Sequence, residues 1–105
     1  MATYKEVSTA LLAVIKALRE AYRAANERDH KDIIFNLMEI MQDELDAITA
    51  MGLNAANDGY KVASDTFSGA ATRLQHFKDE IDTYVKYVKT ASQAVGAIGS
   101  LLVLL

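Results

Sequence analysis

Stepping alternately by three and four from Tyr60, the chain lands on Tyr60, Ala63, Phe67, Ala70, Leu74, Phe77, Ile81, Tyr84, Val88, Ala91, Val95, Ile98, Leu102 and Leu105. All fourteen are apolar or aromatic. A helix needs this pattern to keep one seam against a partner along its whole length. Tyr4, Val7, Leu11, Val14, Leu18, Ala21 and Ala25 form a second seam, which Leu12, Ile15 and Tyr22 widen. A third runs through Ile34, Met38, Met41, Leu45 and Ile48, broadened by Ile33, Leu37, Ile40 and Met51; Phe35 lies off this stripe. The pattern predicts helices over 3–26, 30–51 and 58–89, the last continuing or breaking into 91–105.

Punctuation fits this division. Glu27-Arg28-Asp29-His30 reads as a charged turn with Asp29 able to cap the second helix, Gly52 as its left-handed stop, and Asn57-Asp58-Gly59 as a turn. The expected fold is all-α: an antiparallel hairpin plus a long third helix, in one domain over 1–105, closing a three- or four-helix bundle. In an up-down-up order Tyr60 and Tyr4 meet at one end.

Length then becomes a problem. Unbroken to Leu105, the third helix would extend roughly 69 Å, against ~33–36 Å for each of the first two. Its second half, rich in valine and leucine, would stand in water. Three arrangements cover it: a break near Thr90–Gln93 that folds the tail back, packing on another copy of the chain, or insertion into a membrane. Packing on another copy is preferred, with Phe67, Leu74, Phe77, Ile81, Tyr84, Val88, Val95, Ile98, Leu102 and Leu105 as interface. The sixteen residues after Lys89 carry no charge. That is short of the ~20 of a spanning helix, and the seam crosses Lys89 without changing phase.

Composition narrows the chemistry. With no proline, five glycines and 51% hydrophobic residues in 105, the chain lacks the turn signals of an all-β fold. It has no cysteine, so disulfides, thiolate metal sites and thiol nucleophiles are excluded. The net charge of −3 is unevenly placed: residues 29–58 hold one Lys/Arg and seven Asp/Glu, while the flanking segments are mildly basic. No clustered basic face for nucleic acid is read from it. Val7–Ile15 reads as a helix face rather than a secretion signal, since Glu6 precedes it and no cleavage site follows. A cytoplasmic protein is expected, with export without a cleaved signal as the alternative.

Candidate active groups are few. Glu27-x-x-His30 has the spacing of half a di-iron motif, but Arg73 stands three residues before His76, where a second motif needs a glutamate. Glu20 and Glu44 are conceivable extra carboxylates. Asn54–Asp65 echoes a calcium loop with poor ligand charge at its first positions. Asp79, Glu80 and Asp82 flank a seam residue and read as a solvated face. No catalytic residue, metal or cofactor is assigned. The expected function is a non-catalytic interaction or scaffold protein that self-associates or binds a partner helix through its apolar seams. A membrane-active protein acting through residues 90–105 and a metal-binding bundle are the alternatives.

Overall fold

The computed structural model describes every residue from Met1 to Leu105, and the fold is all-α. Helix α1 spans Tyr4–Ala24 and α2 Arg28–Ala50; α3 (Ala70–Asp79), the single turn α4 (Ile81–Tyr84) and α5 (Val88–Leu104) follow. Short 3-10 turns lie at Leu53–Ala55 and Asp65–Phe67.

The hairpin forms for the reasons its sequence suggests. Thr3 and Glu6 make a reciprocal capping box: Glu6 N–H donates to Thr3 Oγ1 at 3.2 Å, and Thr3 N–H to Glu6 Oε1 at 3.0 Å. This satisfies two amides that helix geometry leaves free. Tyr4, Val7, Leu11, Val14, Leu18 and Ala21 are buried along one face, with Ile15 beside them. On α2, Ile34, Leu37, Ile40, Met41, Leu45 and Ile48 are buried. Leu12, Ile33 and Met51, expected to widen these stripes, are exposed instead. Phe35 is half exposed and leans on Tyr22, with ring centroids 6.2 Å apart. Glu27, not Asp29, occupies the cap position of α2, and it makes no side-chain capping bond. Just past α2, Gly52 adopts φ 85° and ψ 169°, a positive-φ conformation that is all but confined to glycine and differs from the left-handed helical stop expected there.

The third unit differs from the expectation of one long helix over 58–89. Residues 56–69 form an irregular strap, and helix begins only after Gly69, whose φ is 79°. Tyr4 N–H donates to the Asp58 carbonyl at 3.1 Å and Tyr60 N–H to the Ala2 carbonyl at 2.8 Å, so the strap is tied to the start of α1. Tyr4 and Tyr60 do meet, edge to face at 5.5 Å. They do so from a helix and a strap rather than from two helices. The strap then climbs α2, and α3 carries the chain to the far end, where Tyr84 reaches His30.

The chain reverses there. The break lies at Val85–Tyr87, not at Thr90–Gln93. Val85 is extended (φ −133°, ψ 121°) and buried. Thr83, Tyr84, Val85, Tyr87 and Val88 are all β-branched or aromatic, types that lose side-chain freedom in a helix. Burying Val85 from an extended backbone therefore costs little helix stability. After the reversal α5 runs down beside α1, antiparallel to it, and the molecule measures 42 × 20 × 20 Å. The length mismatch is resolved within one chain. The three non-helical residues also rotate the seam: α5 buries Ala91, Ala94, Ile98 and Leu101, whereas an unbroken heptad would bury Val88, Val95, Leu102 and Leu105 beside Ala91 and Ile98.

Candidate functional site

The ten expected interface residues fall into three groups. Phe67, Leu74, Phe77, Ile81 and Ile98 are buried within the single chain, where they join the core with α1 and α2. Tyr84, Val95 and Leu102 are partly covered. Val88, 80% exposed, and Leu105 face outward. With Val103, 85% exposed, and the small residues Ser92 and Gly99, they leave an outer strip on α5 that carries no charged side chain beyond Lys89.

A buried carboxylate is the principal polar feature, and it was not singled out from the sequence as a structural element. Glu44 lies four residues from both Ile40 and Ile48, so helix geometry puts it on the core face of α2, where it is fully buried. Its charge is met by the strap. The Tyr60 hydroxyl donates to Oε2, Ala63 N–H donates to Oε2 at 2.9 Å, and Ser64 N–H donates to Oε1 at 2.8 Å. On the adjacent residue of α2, Asp43 Oδ2 accepts from Thr66 Oγ1 at 3.1 Å. No buried side-chain polar atom lacks a partner. A carboxylate so fully engaged is a fastener: its acceptor sites are used in holding the strap to α2. The available signal was a lone glutamate on an otherwise apolar stripe, which a buried charge occupies only when paired or hydrogen-bonded.

The same arrangement controls Tyr60. Burial first, and then the hydrogen bond to and charge of Glu44, push its hydroxyl far above the ordinary 10.0. Above pH 10 the unfolded chain releases this proton while the folded chain keeps it, so folding stability falls as pH rises. Urea midpoints measured from neutral to strongly alkaline pH are expected to decline above pH 10, less steeply in Tyr60→Phe.

At the opposite end, a cleft of about 480 Å³ opens between the α1–α2 turn and α4. His30 Nε2 lies 3.2 Å from Glu27 Oε2, and the His30 ring stands edge-on to Tyr84 at 5.0 Å. Tyr84 in turn stacks on Phe77 at 4.9 Å. The Glu27–His30 pair thus braces the reversal. Glu20 pairs with Arg23, and Glu44 is committed to the strap, so neither of these carboxylates joins His30. No three His, Cys, Asp or Glu side chains come together in a way that could hold a metal ion. Asn54–Asp65, the calcium-loop echo, runs from the 3-10 turn at Leu53–Ala55 into the strap, and Asp79, Glu80 and Asp82 are exposed.

The chain matches no protein-family model, no curated protein and no solved structure. No helix is long and apolar enough to cross a membrane. The arrangement offers one fastening carboxylate, one braced histidine and apolar surface on α5. The first two serve the fold, and the third is exposed.

Proposed function

We propose that this protein is a non-catalytic helical interaction protein that associates with itself through α5. The carrying observation is the outer strip of that helix. Val88 and Val103 are almost fully exposed, Val95 and Leu102 lie half-covered beside them, and Ser92 and Gly99 between them are small. Small residues let a second helix approach closely, and the absence of charge removes the desolvation cost that such an approach would otherwise carry. A two-fold contact would set one α5 strip against its copy, because the same patch then serves both subunits.

Sedimentation equilibrium at micromolar concentration tests this reading. Association is expected in the native chain, weakened at least about tenfold, roughly 1.4 kcal/mol, in Val88→Asp/Val103→Asp. Both positions are exposed, so the helical circular dichroism spectrum should be unchanged. A native chain that stays monomeric throughout would overturn the reading.

A further inference from the structure

The outer side of the α1–α2 hairpin carries a groove distinct from the α5 strip. It consists of two depressions that share Leu12. One, of about 400 Å³, is floored by Tyr4, Ile48 and Ala56 and overhung by Leu53. The other, of about 460 Å³, lies against Ile15 and Gln42. Leu12 is 57% and Leu53 94% exposed, the latter on the tip of a 3-10 turn. Two hydroxyls at the first depression are already engaged: Thr9 Oγ1 donates to the Lys5 carbonyl at 3.1 Å, and Thr49 Oγ1 to the Leu45 carbonyl at 2.9 Å. The groove is therefore more apolar than its residue types suggest.

Its charge is one-sided. Lys5 lines the first depression, and Lys16 and Arg19 the second; no aspartate or glutamate lines either, in a chain with 14 acids against 11 bases. Nor do these cations have partners within the chain. The only ion pair is Arg23–Glu20, beside the His30–Glu27 contact, and Glu6, the acid next to Lys5, is held by Thr3. Three unpaired cations around an acid-free apolar groove are complementary to an apolar segment with acidic flanks.

The spacing selects the form of that segment. The α1 residues lining the two depressions centre about seven positions apart, which at 1.5 Å per residue is roughly 10 Å. That is the separation of side chains at i and i+7 on a docked helix, the usual anchor spacing when a helix lies in a groove. We propose that this groove receives one amphipathic helix of a partner protein, with two large apolar side chains seven residues apart and acidic residues beside them. The proposal rests on the interaction reading above and names the partner's chemistry; the α5 strip remains the surface for self-association.

Fluorescence anisotropy with two labelled helical peptides tests it. Both have leucines at i, i+3 and i+7; one has glutamates at the flanking positions and the other lysines. The glutamate peptide is expected to bind, with affinity that falls as salt is raised. Its affinity should drop at least about tenfold in Leu12→Asp and in Lys16→Glu/Arg19→Glu. All three positions are exposed, and circular dichroism checks that each variant folds. Val88→Asp/Val103→Asp should bind it as the native chain does. That variant also separates the two claims, since loss of self-association there leaves peptide binding intact if the groove acts alone. The proposal is overturned if neither peptide binds, if the lysine peptide binds equally, or if the groove variants bind unchanged. Flotation with phosphatidylglycerol vesicles that depends on Leu12 would also overturn it, by making an anionic membrane the occupant.

Discussion

Replacing Glu44 with alanine is expected to lower folding stability by about 3 kcal/mol, a large share of what a small domain possesses. The side chain is fully buried and receives the Tyr60 hydroxyl together with the amides of Ala63 and Ser64. Truncation leaves all three donors without their acceptor at a position where water enters only partly. Relief of the buried charge offsets some of this cost, which keeps the expected loss below the sum of three unmade bonds. Two gentler variants calibrate the effect. Tyr60→Phe removes one charge-assisted bond and should cost about 1.5 kcal/mol. Glu44→Gln keeps the volume but turns an amide N–H₂ toward groups that are themselves donors, and should cost about 1–2 kcal/mol. Urea denaturation gives the ranking. Hydrogen exchange gives the location: protection of the Ala63 and Ser64 amides should be lost in Glu44→Ala before protection in the middle of α1. Equal stability of Glu44→Ala and the native chain would show that the strap is held by other means.

The second large effect separates two neighbouring leucines. Leu101→Ala should cost about 3 kcal/mol and lower the melting temperature by roughly 15 °C, whereas Leu102→Ala should cost about 1 kcal/mol. Leu101 is fully buried where α5 meets α1, and Leu102 is only partly covered. A continuous heptad from Tyr60 would demand the opposite order, since Leu102 lies on that seam and Leu101 off it. The pair therefore tests the reversal at Val85–Tyr87 through its consequence fourteen residues further on (Tyr87 to Leu101). If Leu102→Ala proved the more damaging, the tail would not be folded back as described.

The hairpin was legible in the sequence because its two seams have clean helical periods and a glycine, Gly52, stands just past the end of α2, where the chain takes a positive φ. The third unit was legible only in its apolar positions. Tyr60, Phe67, Leu74 and Phe77 do face inward, but a seven-residue spacing of apolar side chains does not reveal which backbone carries them. Tyr60 and Phe67 reach the core from a strap whose amides at Ala63 and Ser64 turn to a carboxylate on another helix. That competition for backbone donors is a tertiary effect, invisible to a periodicity. Local signs did exist: Gly59 and Gly69 bracket the strap, and Ser64, Thr66 and Ser68 between them favour turns over helix. The reversal at Val85–Tyr87 is signalled only by a run of β-branched and aromatic residues, a weaker signal than proline or glycine. As to candidate sites, the heptad marked Val88 and Leu105 as apolar seam positions but not that both would face outward after the reversal, and the cation-lined groove depends on how two helices lie side by side and on Leu12 turning outward.

The antiparallel packing of α5 on α1 has a kinetic consequence. The two helices are separated by 63 intervening residues between Ala24 and Val88, so one flank of α1 stays uncovered while everything between them is being synthesised. Contacts between such distant segments close slowly, because a long loop must be ordered before they form. On the ribosome, the hairpin would emerge with the flank of α1 that α5 covers still open to water. Only arrival of α5 would end that vulnerable interval, when a chaperone or a neighbouring nascent chain has most access to the same surface.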